Sequence, residues 1–259
     1  MTIKDITNKY SFLNRMYIKD VVLTGRDLEL QMLEESLVKK RFKNALLIGK
    51  AGCGKTSLVE KFASLHLNDF AILELSLSGC LAGTRYRGDF EEKLTNCLEN
   101  VIAYNNSNKT FQIILFIDEI HTIIKAGDSE GAMSAANILK PYLSKLEVVI
   151  IGATTIEEYN LTIKNDKALN RRFSTIFIKT LNKEVIINIL NEFAGGKLGV
   201  ALLEYIYDKS CELKNYTNPD ISIEILDRCL ARKKITGKTI TRKMIDEIIE
   251  YMNIEVENE

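Results

Sequence analysis

The sequence predicts an α/β fold, a parallel sheet flanked by helices, followed by a small all-helical part. Three observations carry this. An apolar run, Ala45–Ile48, leads through a glycine-rich loop into a helical pattern at Ser57–Ala63. Residues 113–117, Ile-Ile-Leu-Phe-Ile, are continuously apolar, as a strand covered on both faces requires. From about Leu181 onward only helical periodicity remains, over roughly 183–194, 198–213, 219–233 and 240–253. The expected boundaries are an N-terminal tail at 1–20, an α/β part at 21–180 and a helical part at 181–259.

Composition narrows the function classes. Lys plus Arg and Asp plus Glu number 35 each, so the net charge is zero and no nucleic-acid partner is expected. The five cysteines (Cys53, Cys80, Cys97, Cys211 and Cys229) show no CxxC spacing and are odd in number. Neither a disulfide framework nor a zinc site is expected, and a reducing, cytoplasmic location fits. The first ten residues lack the apolar core of a signal peptide, and no run is long enough to span a bilayer.

In chain order, residues 1–20 mix charge with scattered apolar positions; a short helix or a docking tail is conceivable, and a loosely ordered terminus is the favoured expectation. Val21–Arg26 turns into an amphipathic helix, Asp27 to Lys40, followed by Arg41 and Lys43. That basic run reads as a solvated helix C-terminus.

Gly49-Lys50-Ala51-Gly52-Cys53-Gly54-Lys55-Thr56 then stands between a strand and a helix, the context in which G-x-x-x-x-G-K-T binds phosphate. The glycines let successive N–H groups converge on one anion, and the helix start adds partial positive charge. Expected nucleotide contacts are Gly49, Ala51, Gly52, Cys53, Gly54, Lys55, Thr56 and Ser57. Lys55 would reach the outer phosphates of ATP, and the Thr56 hydroxyl would ligate Mg²⁺.

A strand over 70–77 and a loop over 82–88 precede a helix from about Asp89 to Tyr104. The strand at 112–117 ends in Asp118-Glu119, where open α/β sheets bind ligands. Asp118 is expected in the Mg²⁺ shell and Glu119 as the group that orients or deprotonates water. The alternative, a helix N-cap, loses ground to the phosphate loop about sixty residues earlier. His121 reads as a helix residue after this pair. Ala132 to Leu146 is a helix interrupted near Pro141, and Glu147–Gly152 is a further buried strand. Thr155 at its tip either contacts the γ-phosphate or water, or caps the helix at Ile156–Tyr159. Arg171 and Arg172, before the last strand at 174–178, are surface charge or reach a phosphate.

Several stretches together resemble the first ATPase domain of the Clp family of AAA+ unfoldases and disaggregases, over roughly residues 21–252. Besides the phosphate loop they are Gly83–Leu94, Leu115–Ile123, Glu130–Met133, Ile151–Thr155 and Ala168–Phe173. The resemblance implies a five-stranded parallel core, a helical lid and a homo-oligomeric ring, usually a hexamer, with ATP between subunits. By position Thr155 resembles the sensor of the γ-phosphate, and Arg171 and Arg172 resemble fingers entering the next subunit's site. Val21 and Val22 resemble the residues flanking adenine. Tyr86, between Arg85 and Arg87, resembles the pore-loop aromatic that grips a polypeptide substrate.

The chain departs from the family in being short. About twenty residues precede the ATPase part, no coiled-coil arm interrupts 221–240, and no apolar tripeptide for a peptidase is found. Ile221 stands where a basic residue is expected after Pro219-Asp220. Two readings stay open: a single-ring remodeller acting on polypeptide through Tyr86, or a nucleotide-dependent switch that recruits a protein partner through residues 1–20.

Overall fold

The computed structural model describes residues 2–16, 23–82, 87–122, 135–145 and 147–257, the backbone alone for Arg87 and residues 253–257. Val21, Val22 and Tyr86, expected at the adenine and at the pore, lie outside the described residues.

The N-terminal segment is folded, which corrects the expectation of a loosely ordered terminus. Helix α1 (Ile3–Lys9) carries a full capping box between Thr2 and Asp5. Strand β1 (Leu13–Arg15) comes next and pairs antiparallel with β3 (Phe70–Leu75), Leu13 opposite Leu75. Ile6, Tyr10, Phe12 and Leu13 are buried in the same core as the sheet. The scattered apolar residues of this stretch are therefore its anchor.

Most of the remaining elements follow the sequence pattern; the strand expected over 70–77 ends at Leu75, and the pattern does not predict the short helices Leu77–Leu81 and Lys167–Asn170. Helix α2 spans Asp27–Val38 and β2 Asn44–Ile48, every residue of β2 being buried. After the glycine loop α3 runs Lys55–Leu65. Beyond β3 come the short α4 (Leu77–Leu81) and the long α5 (Arg87–Ser107), then β4 (Gln112–Ile117). Helix α6 (Ala135–Tyr142) accommodates Pro141 near its end, and β5 spans Val149–Thr154. Two short helices, α7 (Ile156–Leu161) and α8 (Lys167–Asn170), lead to β6 (Phe173–Phe177).

Among the described residues the sheet has six strands in the order β1-β3-β4-β5-β2-β6. Five are parallel, as expected, and β1 adds an antiparallel edge. A strand of three residues has too little pattern to be seen in sequence; its partner β3 defines it. Two buried asparagines lock the sheet to its flanks. Asn44 donates to the carbonyls of Leu143 and Arg172 and accepts from Ile150 N–H. Asn105 donates to the carbonyls of Ile113 and Glu147 and accepts from Ile113 N–H.

The chain divides into two compact units. The first holds the sheet and its helices, and its last stretch ends at Ile178. The second comprises Leu23–Gly25, Lys50–Gly54 and Lys179–Glu259. It contains α9 (Lys183–Phe193), α10 (Val200–Ser210), α11 (Asp220–Thr236) and α12 (Arg242–Glu257). Their inward faces meet in one apolar cluster that includes Leu190, Leu203, Ile206, Ile225, Leu226 and Ile245. Among the described residues no helix is long and apolar enough to cross a membrane.

Candidate nucleotide site

Sheet order explains why distant residues meet. Strand β5 lies between β2 and β4, with Ile48 opposite Thr154 and Ile117 opposite Gly152. All three strands are parallel, so the segments leaving β2, β4 and β5 gather at one end of the sheet. This is the end at which doubly wound sheets bind ligands.

The glycine loop leaves β2 at Gly49, whose N–H donates to the Thr154 carbonyl at 3.2 Å. Gly52 and Gly54 have φ of 71° and 93°, the left-handed region that a side chain disfavours. A Cβ on Gly52 would also stand 2.8 Å from the Asp220 Cβ. The Cys53 side chain is buried, which leaves its backbone as the part it would offer a nucleotide. At the start of α3 the Lys55 ammonium donates to the Gly49 carbonyl at 3.0 Å, so it already spans the mouth of the loop. A phosphate oxygen entering the loop competes for the same cation.

Thr56 Oγ1 donates to Asp118 Oδ2 at 3.3 Å. The other Asp118 oxygen accepts the Glu119 N–H at 2.9 Å. A hydroxyl and a carboxylate side by side are hard oxygen ligands, the set that holds Mg²⁺ together with phosphate oxygens and water. The donor set therefore fits the expected ion. Glu119 is exposed and sits at φ 48°, a strained conformation for a residue with a Cβ. A cavity of about 370 Å³ adjoins both carboxylates, walled elsewhere by Glu74, Ser76, Ser78 and Phe90.

Thr155 satisfies the capping alternative: its hydroxyl accepts the Glu158 N–H at 3.2 Å. It is partly exposed at the tip of β5, beside the start of the loop. His121 is corrected from a helix residue to a buried turn residue, with Nδ1 3.0 Å from Thr154 Oγ1. Sequence reasoning passes over Thr154; its signal is a polar residue ending an apolar strand one position before Thr155.

The two arginines part ways. Arg172 donates through Nε to Ser144 Oγ at 2.6 Å and through its guanidinium to the Ala168 carbonyl. Arg171 is exposed, on the wall of a cavity of about 470 Å³ that it shares with Lys39 and Arg41. This cavity lies at β6, the edge of the sheet remote from Asp118.

Comparison with known proteins agrees with this geometry. Residues 45–181 match the ATPase family associated with various cellular activities (AAA). The chaperone protein ClpB of Mycoplasma genitalium is 38% identical over 254 residues, 91% of this chain and 35% of that protein. The ClpB of Aquifex aeolicus is 37% identical over 227 residues, 82% of this chain and 22% of that protein. The chain thus spans between 22% and 35% of the length of these two relatives. Hsp104 in a closed state with ATPγS and FITC casein superposes with a TM-score of 0.78 at 27% identity, over 95% of this chain and 45% of that one. A phosphate loop, a paired Thr56 and Asp118, and a match across residues 45–181 lead to one assignment. The chain belongs to the AAA family of ATPases, with relatives among the Clp chaperones.

Proposed function

We propose that this chain hydrolyses ATP as one subunit of a Clp-type ring, hexameric by family resemblance, and couples hydrolysis to remodelling of polypeptide. The observation that carries the reading is the clustering of Lys55, Thr56, Asp118 and Glu119 at one end of the sheet, with Arg171 exposed at its far edge.

The loop N–H groups and Lys55 hold the phosphates, and Thr56 with Asp118 would hold Mg²⁺. When bound, that ion supplies neutralisation of the phosphate charge. Glu119 orients the attacking water and accepts its proton, and Thr155 aligns the γ-phosphate from the neighbouring strand. Nucleophile and leaving oxygen thereby stand in line, and positioning does most of the catalysis. Arg171 is 53 residues from Asp118 in the chain and on the other side of the sheet, so it serves a neighbouring subunit's site more readily than its own. A cation arriving in trans stabilises charge at the transferred phosphoryl group. In this role Arg172 is the brace and Arg171 the finger. Val21 and Val22 flank adenine, and the compartment is the cytoplasm, in keeping with five cysteines that form no disulfide.

Polypeptide as substrate rests on the resemblance of Tyr86 to the pore aromatic and on the casein present with Hsp104. The alternative, a switch that recruits a partner through residues 1–20, is supported less well: Ile6, Tyr10, Phe12 and Leu13 are buried in the core and not offered to a partner. The test is ATP hydrolysis with and without unfolded casein, in the wild type and in Tyr86→Ala. Casein accelerates the wild type, and the acceleration is lost in the variant. Acceleration that survives Tyr86→Ala rules out threading through this residue.

A further inference from the structure

The turn after β4 is fastened to the tip of β5 at two successive residues, Ile120 and His121. Ile120 N–H donates to the Ala153 carbonyl at 2.9 Å. The Ile120 side chain lies so close to β5 that a Cβ on Gly152 would stand 2.7 Å from its Cδ1. His121 Nδ1 then lies 3.0 Å from Thr154 Oγ1, both residues being buried. The other ring nitrogen, Nε2, is 4.0 Å from Glu158 Oε2.

Thr154 is the point at which these connections converge. Its carbonyl accepts the Gly49 N–H that opens the phosphate loop, and its hydroxyl meets His121. The next residue, Thr155, accepts the N–H of Glu158, the residue that faces His121 Nε2. His121 thus touches two of the anchors that set Thr155, and it stands two residues beyond Glu119, which is held at φ 48°. The buried His121–Thr154 contact ties the turn that carries Glu119 to the strand tip that carries Thr155 and accepts the Gly49 N–H.

We propose that His121 is a positioning residue for ATP hydrolysis, acting through Thr154 to fix Glu119 and Thr155 relative to the phosphate loop. The inference rests on the proposed reading of Glu119 and Thr155. It assigns His121 no proton transfer and no contact with nucleotide. Misplacing a water-orienting group by about 1 Å costs up to ~10²-fold in rate, whereas binding by the loop is untouched.

The test compares His121→Asn, which keeps a polar atom where Nδ1 stands, with His121→Gln, whose polar atoms reach beyond it. Thr154→Val keeps the backbone carbonyl and the shape, suits a strand, and removes the hydroxyl. The expected result is kcat reduced ~10–100-fold in His121→Gln and Thr154→Val, with the affinity for a fluorescent ADP analogue within ~3-fold of wild type. His121→Asn recovers most of the rate, and the double variant is no worse than either single one, because both break one link. A readout independent of activity is the ¹⁵N spectrum of the imidazoles in the nucleotide-free protein. With two histidines in the chain, the His121 signals are separable from those of His66 and shift in Thr154→Val. The proposal is overturned if Thr154→Val and His121→Gln turn over like wild type. It is equally overturned if kcat, nucleotide affinity and melting temperature fall together, since that marks a purely structural residue. A wild type that binds the analogue and hydrolyses nothing fails differently: it removes the ATPase reading itself, and this inference with it.

Discussion

Thr56 Oγ1 lies 3.3 Å from Asp118 Oδ2, although 62 residues separate them in the chain. That contact places two hard oxygen donors side by side at the start of α3. Asp118→Asn removes the charge proposed to hold a divalent cation and keeps the shape. Affinity for Mg-ADP is expected to fall by at least ~10-fold, while affinity for ADP in excess chelator stays near wild type. Thr56→Val shifts the same balance less, since the hydroxyl is neutral. Titration calorimetry with and without Mg²⁺ measures both; equal losses in the two conditions would assign Asp118 to something other than the cation.

Arg171 and Arg172 are adjacent in sequence and opposite in commitment. Arg172 holds Ser144 and the Ala168 carbonyl, so Arg172→Ala is expected to cost about 1–3 kcal/mol in stability. Arg171 is exposed, and Arg171→Ala should change stability by less than ~0.5 kcal/mol. If Arg171 is the proposed finger, the expected effect of its removal is on turnover in the proposed ring, ~10³-fold lower, with nucleotide binding by the single subunit retained. Urea melts set beside ATPase assays at several protein concentrations separate the two roles. If Arg172→Ala gave the turnover defect on an undiminished fold, the assignment of brace and finger would be reversed.

Much of this arrangement is legible in the sequence because burial on both faces leaves an unmistakable run. Ala45–Ile48 and Ile113–Ile117 can be read as central strands with no knowledge of their neighbours. Strand β1 cannot: three residues with one buried position have no period, and only pairing with Leu73–Leu75 makes them a strand. For the same reason Ile6 and Tyr10 look, in sequence, like stray apolar residues of a tail.

The candidate nucleotide site is legible in the sequence as residue types. Lys55, Thr56 and Asp118 carry their chemistry in the motif itself. Sequence cannot convey which of several polar residues faces which. Thr155 reads equally as sensor and as cap, and here it caps Glu158 while standing beside the loop. The difference between Arg171 and Arg172 arises from Ser144, 28 residues before Arg172, and no local pattern encodes it. Nor does any composition rule reveal that Glu119 takes a positive φ.

Asp166 prepares the position of Arg171. It caps α8 through Oδ1 to the N–H groups of Ala168 and Leu169, and it pairs with the Lys140 ammonium at 2.6 Å. Burial pulls its pKa upward, but Lys140 and the two N–H groups outweigh that and hold it below the ordinary 3.8. A carboxyl with a lowered folded-state pKa contributes stability that is fully present above 3.8 and is lost as pH falls through the folded value. Asp166→Ala is therefore expected to cost about 1–2 kcal/mol near neutral pH. The gap to wild type should narrow only in acid, below 3.8. Urea midpoints of both proteins, followed stepwise into acid, test this. A gap that narrows already above the ordinary aspartate range contradicts the lowered pKa.

Glu119 sets its proposed catalytic role against backbone strain. At φ 48° a residue with a Cβ is disfavoured by about 1–2 kcal/mol, whereas glycine accepts that conformation freely. Glycine's greater freedom in the unfolded chain returns about 0.5–1 kcal/mol of that gain. The difference favours glycine, by roughly 0.5–1 kcal/mol. Glu119→Gln and Glu119→Gly both remove the carboxylate, and both should lower ATP turnover by ~10²–10⁴-fold with nucleotide still bound. Only the glycine variant relieves the backbone, so it should melt above the glutamine variant. Comparing these two, rather than either with wild type, cancels the loss of charge. A glutamine variant that melts as high as the glycine one means the fastening of Ile120 and His121 to β5 already absorbs the strain. A glutamine variant that turns over ATP at the wild-type rate removes Glu119 from the reaction.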